Sequence, residues 1–213
     1  MERIICLVMG YLFGLVQTGF FYGKAHGTDI RQHGSGNSGA TNTMRVMGKK
    51  AGGLVLLGDV LKCLAACTLA RLLFGIKEPQ MELLYVLYAG FGAILGHNFP
   101  VYLKFKGGKG IACTGALIIA VLDIRILLIC LAVFILTIYI TRFVSLGSML
   151  GASTFFITWT VITMNGWNNL GAEYRMESCV IVFLVAVLAI VRHHSNIKRL
   201  LSGTENKLGS KSK

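Results

Sequence analysis

The sequence predicts an all-α integral membrane protein, built as a bundle of seven transmembrane helices of which some are short. Hydrophobic residues make up 54% of the 213 residues and charged residues only 14%, against roughly a quarter in an average soluble domain. Apolar stretches that approach the ~20 residues of a membrane span recur along the chain. Lys and Arg gather in the polar segments between them, as they do in cytoplasmic loops. We therefore expect residues 1–213 to form a single polytopic domain.

Five apolar stretches are clear candidate spans. They are residues 3–23, 53–75, 80–97, 145–164 and 176–192. The first of them resembles a signal peptide over residues 4–21, but no small-residue cleavage site follows, so we expect it to remain as a span. The stretch 110–141 is ambiguous, because it is apolar but interrupted by Asp123 and Arg125. It could form one long tilted helix or two short helices that turn at the charged pair.

The distribution of basic residues favours two short helices in 110–141. The chain then has seven spans, with the N-terminus outside, the C-terminus in the cytoplasm and four cytoplasmic segments: 24–52, 98–109, 141–144 and 193–213. With Arg192 at their edge, these segments carry 15 of the 21 Lys and Arg residues: Lys24, Arg31, Arg45, Lys49, Lys50, Lys104, Lys106, Lys109, Arg142, Arg192, Lys198, Arg199, Lys207, Lys211 and Lys213. Six spans would instead place the second and fourth segments on opposite sides, against the usual charge bias.

Other charged and sulfur-containing residues are expected to be structural. The net charge of +12 is explained by cytoplasmic loops better than by nucleic-acid binding. Asp59 and Lys62 lie three residues apart on one face of the second span, where an unpaired charge is unfavourable, so we expect a salt bridge between them. The six cysteines form no CxxC pair, and we expect all of them to be small buried hydrophobic residues.

The first polar loop, residues 31–45, has the composition of an anion site. Its glycines allow several backbone N–H groups to point at one anion, while hydroxyl, amide and guanidinium groups add donors. A flexible polar linker would explain the glycines but not the density of donors. The spacing Gly34-x-Gly36-x-x-Gly39 matches a dinucleotide fingerprint only formally, because no strand precedes it. The candidate ligands are Ser35, Gly36, Asn37, Gly39, Thr41, Asn42 and Arg45.

The second polar loop, residues 96–110, precedes a predicted helix. A helix N-terminus preceded by Gly and Lys can bind an anion. Attraction of the lysines to anionic lipid headgroups is the alternative, but it does not require the glycines. The loop is not a Walker A motif, because Gly110 rather than Ser or Thr follows Lys109. The candidate phosphate ligands are Lys104, Gly107, Gly108, Lys109 and Gly110.

A third polar group is divided between residues 141–148 and 192–205. Ser145 and Ser148 open the sixth predicted span. His193 and Asn196 lie three residues apart on one helical face at the end of the seventh. A lone histidine at a membrane interface is usually an ordinary surface residue. Beside two anion loops on the same side, a role in chemistry is an equal alternative.

Together these segments resemble the three motifs of the bacterial acyl-phosphate-dependent glycerol-3-phosphate acyltransferases, the PlsY family. The first motif resembles residues 34–42 with Arg45, the second residues 96–100 and 105–110, and the third residues 193–205. The resemblance covers nearly the whole chain in order, and the combination of motifs is specific. One departure is Ile-Ala-Cys at 111–113, in the wall of a helix, where the family has a sequence closer to Val-Ala-Thr.

The resemblance implies transfer of a fatty acyl group from acyl phosphate to the 1-hydroxyl of sn-glycerol 3-phosphate. The products would be 1-acyl-sn-glycerol 3-phosphate (lysophosphatidic acid) and phosphate, in the first acylation step of bacterial phospholipid synthesis. It implies no cofactor, metal, coenzyme A donor or acyl carrier protein donor. The partners would be the two substrates, the lipid bilayer and, transiently, the enzyme that makes acyl phosphate, with no nucleic acid. The implied location is the bacterial inner membrane, with the active site on the cytoplasmic side.

The predicted catalytic centre contains Ser35, Arg45, His193 and Asn196. Because acyl phosphate is already activated, positioning and charge neutralisation can supply most of the rate. Ser35 and Arg45 are expected to bind phosphate, as are Lys104 and Lys109. His193, with Asn196, either deprotonates the hydroxyl or only hydrogen-bonds the substrate, in which case a phosphate oxygen of the substrate could accept the proton.

The remaining candidates are expected to orient the substrate or support the site. Ser145 and Ser148 would orient glycerol phosphate. Asp59, Lys62 and Glu205 would be structural, with Glu205 pairing with a loop cation to hold the C-terminal segment. The sequence leaves open which loop binds which of the two substrate phosphates.

Other classes of protein share part of this pattern. A small transporter for phosphorylated solutes would have similar basic loops, but its site would usually lie near the midplane within repeated, broken helices. A CDP-alcohol phosphotransferase-like enzyme needs clustered acids for metal ions, whereas the predicted cytoplasmic loops carry only Asp29 and Glu205. The H-x4-D motif of soluble-type glycerolipid acyltransferases follows none of the five histidines.

Overall fold

Helices dominate residues 1–209, the part of the chain that this computed structural model describes; Lys211 and Lys213, counted above among the basic residues, lie outside it. The first apolar stretch forms α1 (Glu2–Gly14) and α2 (Thr18–Ala25), with a break at 15–17. The other helices are α3 (Ala40–Met47), α4 (Lys49–Ala70), α5 (Glu82–Asn98), α6 (Ile111–Ala120), α7 (Ile124–Thr141), α8 (Val144–Met164), α9 (Arg175–Arg192) and α10 (His194–Leu201). A π-helical turn, Arg71–Gly75, extends α4. Single 3-10 turns lie at Ile30–Gln32, Val101–Leu103 and Ala172–Tyr174.

Most of the predicted spans coincide with long apolar helices. Five helical segments of the described chain are long and apolar enough to cross a membrane: Glu2–Ala25, Lys49–Gly75, Ile124–Thr141, Val144–Met164 and Ala172–Arg192. The predicted span 80–97 corresponds to α5, which has 17 residues and buries both polar and apolar side chains on several faces. All six cysteines are buried and free, as predicted: Cys6, Cys63, Cys67, Cys113, Cys130 and Cys179.

The ambiguous stretch 110–141 contains two helices. Leu122 has a φ of 55°, a left-handed conformation that ends α6. The Asp123 carboxylate then caps α7 by accepting hydrogen bonds from the backbone N–H groups of Arg125 (3.0 Å) and Ile126 (3.4 Å). A carboxylate in this position satisfies donors that the first turn of a helix leaves free. The alternative of one long tilted helix is therefore wrong.

The short helix α6 begins deep in the bundle. Its ten residues rise only about 15 Å, half the ~30 Å thickness of a hydrocarbon core. The Cys63 thiol donates to the carbonyl oxygen of Cys113 (3.3 Å), and the Cys113 thiol donates to that of Asp59 (3.6 Å). The first turn of α6 therefore lies beside the middle of α4. The loop that precedes α6 must reach into the bundle to the same level.

Close packing of α1 on α5 brings the break at 15–17 to the end of α5. A Cβ atom at Gly10 would lie 2.0 Å from the carbonyl oxygen of Ala89, and one at Gly92 would lie 2.1 Å from that of Leu7. Glycine at both positions lets the two backbones touch, which is typical of packed membrane helices. The Tyr11 hydroxyl, one turn further along α1, donates to the carbonyl oxygen of Phe99 (2.9 Å).

Candidate functional site

The first two polar loops meet at the end of the bundle where α2 and α5 finish. Gln17, in the break after α1, is the link between them. Its amide donates to the carbonyl oxygen of His97 (2.9 Å), and its amide oxygen accepts from the Ser38 hydroxyl (3.2 Å). All three side chains are buried. A residue of the first loop is thereby fixed to the residues that begin the second.

The third polar group joins the same end through its side chains. The Lys109 ammonium, in the second loop, donates to the Asn196 side-chain oxygen in α10. Ser145, in the first turn of α8, donates to Glu205 (3.0 Å), which follows α10. The structure thus brings all three groups of sequence-predicted residues together at one end of the bundle.

A cationic cavity of about 420 Å³ lies between these segments. Its lining comprises Asp29, Arg31, Gln32, Ser35, Gly36, Asn37, Phe105, Lys106, Gly107, Lys109, Arg192, His194, Ser195 and Arg199. Five of these side chains are Lys or Arg. Asp29 is the carboxylate among them, and it is already paired with Arg31 (2.7 Å). The arrangement favours anionic ligands with more than one negative charge.

Asn42 shapes the first loop from α3. Its side-chain oxygen accepts from the backbone N–H of Ser35 (2.8 Å). Its amide group donates to the carbonyl oxygens of Ile30 (3.1 Å), His33 (3.0 Å) and Asn37 (2.9 Å). An amide has two hydrogens, and both are engaged within the loop. We therefore assign Asn42 to loop shaping instead of the phosphate contact that the sequence predicted.

The other residues of the first loop divide between the cavity and its support. Ser35 and Gly36 are exposed and line the cavity. The Asn37 side-chain oxygen accepts from the backbone N–H of Gly39 (2.9 Å), the N-cap residue of α3. Thr41 is exposed on α3 and lies outside the set of lining residues. The predicted donors of this loop thus contribute unequally to the cavity.

The glycines of the second loop form a tight turn that only residues without a side chain can make. The backbone N–H groups of Gly107 and Gly108 donate to the carbonyl oxygens of Asn98 (3.2 Å) and His97 (3.0 Å). The Arg192 guanidinium donates to the carbonyl oxygens of Gly107 (3.1 Å) and Gly108 (2.9 Å). A Cβ atom at Gly108 would lie 2.0 Å from Nε2 of His97. The turn is therefore held from both sides.

Lys109 follows this turn and carries the central charge of the site. Gly110, with a φ of 76°, is the N-cap residue of α6, so Lys109 lies just before a helix N-terminus. Burial lowers the pKa of the Lys109 ammonium to about 8. The positive charges of three nearby arginines, including Arg45, add to the shift, and Glu205 opposes it. A lysine in this setting remains charged at neutral pH and is poorly solvated, which favours an anionic ligand.

Lys106, and not Lys104, lies in the cavity wall. Lys104 is exposed, and its backbone adopts a left-handed conformation with a φ of 54°. It is not among the residues that line the cavity. This placement argues against the predicted phosphate contact of Lys104. Among residues 1–209, the Arg45 side chain makes no hydrogen bond or ion pair, and its positive charge helps to lower the pKa of Lys109. Arg192, which the sequence suggested only as an edge charge, instead supports the glycine turn.

Glu205 connects α8, α10 and the segment after α10. One carboxylate oxygen accepts from the Ser145 hydroxyl (3.0 Å) and the Asn196 amide (2.8 Å). The other accepts from the Arg199 guanidinium (2.8 Å). The hydroxyl of Ser148 donates to the backbone carbonyl one turn earlier (2.8 Å). Both hydroxyl groups therefore support the site, and their predicted contact with glycerol phosphate, for which their oxygen lone pairs remain as acceptors, stays a prediction.

His193 is buried at the end of α9 with a defined tautomer. Its Nδ1 lies 2.7 Å from the carbonyl oxygen of Ala189. A carbonyl can only accept, so Nδ1 carries the hydrogen and Nε2 is left as an acceptor. Burial, followed by the positive charge of Lys109, lowers the pKa of His193 to about 4. His193 is therefore a neutral hydrogen-bond acceptor near Lys109, buried at 3% exposure and outside the set of lining residues.

A second cavity lies at the opposite end of the bundle and has different chemistry. It measures about 640 Å³ and lies near the start of α1 and the connection between α4 and α5. Its lining comprises Glu2, Arg3, Glu78, Pro79, Gln80, Met81, Tyr85 and Tyr174. Two carboxylates and one arginine do not favour a phosphate ligand. The smaller cationic cavity is therefore the candidate site.

Known proteins are similar to this chain in sequence and in fold. A family model described as glycerol-3-phosphate acyltransferase matches residues 4–203. The glycerol-3-phosphate acyltransferase of Clostridioides difficile (strain 630) is 41% identical over 213 residues, covering 98% of this chain and 96% of that protein. That of Bacillus subtilis (strain 168) is 38% identical over 206 residues, covering 96% of each.

Solved structures with a similar fold belong to the same family as these relatives. A crystal structure of PlsY (YgiH), an integral membrane glycerol 3-phosphate acyltransferase, in its glycerol 3-phosphate form has a TM-score of 0.82 at 32% identity, covering 98% of this chain and 96% of that chain. The lysophosphatidic acid form of PlsY has a TM-score of 0.80 at the same identity and coverage. Sequence and fold therefore lead to one conclusion: the chain belongs to the glycerol-3-phosphate acyltransferase family of integral membrane proteins, the PlsY family.

Proposed function

We propose that the protein transfers a fatty acyl group from acyl phosphate to the 1-hydroxyl of sn-glycerol 3-phosphate. The products are lysophosphatidic acid and inorganic phosphate. The observation that carries the proposal is the cationic cavity in which the three motif segments meet. Both substrates carry a phosphate group, and each phosphate needs donors or cations for stable binding. The fatty chain of the donor needs an apolar environment, which the surrounding bilayer provides.

The reaction needs a nucleophile, a leaving group and a proton acceptor. The 1-hydroxyl oxygen of glycerol 3-phosphate attacks the acyl carbonyl carbon. The new ester bond forms as the bond between that carbon and the phosphate oxygen breaks, and the hydroxyl proton passes to an acceptor. Lys109 and the other cavity cations stabilise the negative charge that develops on the carbonyl and phosphate oxygens. The departing group is phosphate, which is stable as an anion and needs little further help.

The lowered pKa of His193 favours a substrate phosphate as the proton acceptor. A phosphate monoester has a second pKa of about 6, whereas the pKa of His193 is about 4. A base is most effective when its pKa lies near the working pH, so the phosphate is the better match. Nε2 of His193 then accepts a hydrogen bond from a glycerol hydroxyl and orients the nucleophile.

The identity of the acyl donor provides the most direct test of this function. Purified protein in detergent, with a metal chelator, is expected to form labelled lysophosphatidic acid from palmitoyl phosphate and labelled glycerol 3-phosphate. One phosphate should be released for each ester formed. The matched controls replace palmitoyl phosphate with palmitoyl coenzyme A or palmitoyl acyl carrier protein, and we expect no product from either. Product only with those donors, or uptake of glycerol 3-phosphate into liposomes without acylation, would contradict the proposal.

In this proposal the site faces the cytoplasm of a bacterial inner membrane, and α6 is a short seventh crossing. The contacts of Lys109 with Asn196 and of Ser145 with Glu205 support it, because these segments reach one end only if α6 and α7 each cross. A cysteine placed at residue 124 is expected to react with an impermeant thiol reagent from outside intact cells. A cysteine at residue 50 should react only after the cells are opened. The reverse pattern would overturn the orientation, and reaction of both from the same side would overturn the seven-span count.

A further inference from the structure

A buried polar cluster lies directly behind the glycine turn of the cavity. It consists of Asp59 and Lys62 in α4 and His97 at the end of α5. Their side chains are 1%, 5% and 4% exposed, so the cluster is shielded from solvent. The salt bridge between Asp59 and Lys62 is visible in the sequence as a pair three residues apart. The contact with His97 joins residues that are 35 positions apart and appears only in the structure.

The Lys62 ammonium uses all three of its hydrogens. It donates to the Asp59 carboxylate (2.7 Å), to the carbonyl oxygen of Val16 (2.6 Å) and to Nδ1 of His97 (2.9 Å). The Asp59 carboxylate also accepts from the Thr18 hydroxyl (3.0 Å). A single ammonium thus connects α4, the break between α1 and α2, and the end of α5. No hydrogen of the ammonium is left to serve a substrate.

Lys62 also fixes the tautomer of His97. An ammonium can only donate, so Nδ1 of His97 must accept and Nε2 must carry the hydrogen. The Nε2 edge of the ring lies against Gly108, where a Cβ atom would come within 2.0 Å. The carbonyl oxygen of the same histidine accepts from the backbone N–H of Gly108 (3.0 Å). Both the ring and the backbone of His97 therefore support the glycine turn.

The position of the Lys109 charge depends on this support. Gly107 and Gly108 immediately precede Lys109, and their carbonyl oxygens are held from the other side by Arg192. The turn has no side chains of its own with which to resist rotation. A rotation of the peptide at Gly108 would move the backbone of Lys109. Displacement of a catalytic group by about 1 Å can lower a rate by about 10²-fold.

We propose that Asp59 and Lys62 are positioning residues for acyl transfer, which act through His97 on the glycine turn. The inference rests on the proposed function and extends it to residues that touch no substrate. Buried ion pairs are a weak source of stability, because apolar residues of similar volume often replace them without loss. A cluster that only held the bundle together could therefore be replaced by apolar packing. A cluster that orients the turn requires the directed hydrogen bond between Lys62 and His97.

The test separates positioning from stability with a double substitution. Lys62→Met alone leaves the Asp59 carboxylate buried without its cation, which strongly destabilises the fold. The double variant Asp59→Asn with Lys62→Met removes both charges and keeps the side-chain volumes. We expect this variant to unfold near the wild-type temperature and to lose about 10–100-fold in kcat/KM for acyl transfer. Hydrogen exchange of a peptide that contains Gly107 and Gly108 is expected to become faster.

Glu82→Gln is the matched control. It weakens the ion pair of Glu82 with Arg71 (2.5 Å), which joins the same two helical regions at the opposite end of the bundle. We expect wild-type kcat/KM and wild-type exchange in the glycine turn. Unchanged kcat/KM and exchange in the double variant would overturn the positioning role. If the wild type itself transfers no acyl group, the proposed function fails, and the exchange measurement decides the positioning role on its own.

Discussion

Replacement of Lys109 by Met is expected to lower kcat/KM for acyl transfer by about 10²–10³-fold, the loss typical of one removed transition-state donor. Methionine keeps the length and apolar stem of lysine, so the buried volume is preserved. The substitution removes the ammonium that donates to Asn196 and lies at the start of α6. Steady-state rates with palmitoyl phosphate and glycerol 3-phosphate at pH 7 would measure the loss.

The pH dependence of the wild type provides an independent measurement of the same residue. The pKa of Lys109 is lowered to about 8 by burial. The charged form is the active one, so kcat/KM should be half of its plateau value near pH 8 and approach a tenfold fall for each further pH unit. In Lys109→Arg the charge persists to much higher pH. We expect a lower plateau in that variant, because the guanidinium has a different shape, but no decline near pH 8.

Lys50→Met is the control for general loss of positive charge. Lys50 is exposed in the first turn of α4, outside the cavity lining. We expect this variant to keep wild-type kcat/KM and the wild-type decline above pH 8. Equal losses in Lys109→Met and Lys50→Met would contradict a specific role for Lys109 and would indicate a general electrostatic effect of the basic surface.

Most of the helices could be predicted from the sequence. A membrane span must satisfy its backbone polar groups internally, so it forms a helix and appears in the sequence as a long apolar run. The break in 110–141 was visible for the same reason, since Asp123 and Arg125 interrupt that run and Asp123 then caps α7. The distribution of basic residues predicted that the polar loops share one side of the bilayer, and the structure brings them together at one end of the bundle. The spans, the break and the charge distribution can all be read from the order of residues along the chain, and they do not depend on how side chains pack.

Individual roles within the site were harder to predict, because a sequence lists donors without showing which are already engaged. Asn42 looks like a phosphate ligand, yet its amide is used inside the first loop. Ser145 looks like a substrate contact, yet it donates to Glu205. Lys104 and Lys106 are equivalent in the sequence, but a left-handed backbone at Lys104 separates their directions. Each distinction depends on three-dimensional hydrogen bonding.

Substitution of His193 by Ala is expected to act mainly on KM for glycerol 3-phosphate. If His193 orients a glycerol hydroxyl, its removal leaves that hydroxyl unpaired and raises KM by about 5–100-fold, which corresponds to roughly 1–2.7 kcal/mol. The value of kcat should remain within a few-fold of the wild type. If His193 were the base, kcat itself would fall by about 10²–10⁴-fold. His26→Ala is the control, because His26 is exposed and stacks on Tyr22.

His193→Gln separates these mechanisms further. The glutamine side-chain oxygen can accept a hydrogen bond from a hydroxyl but cannot act as a base at neutral pH. An orienting role predicts that Gln restores part of the affinity that Ala loses, whereas a catalytic base predicts that Gln is as inactive as Ala. The acidic limb of kcat gives a second criterion: a phosphate acceptor places it near pH 6, and it should persist in both variants. If the limb disappears together with kcat, the proton passes to Nε2 of His193 instead of to the substrate.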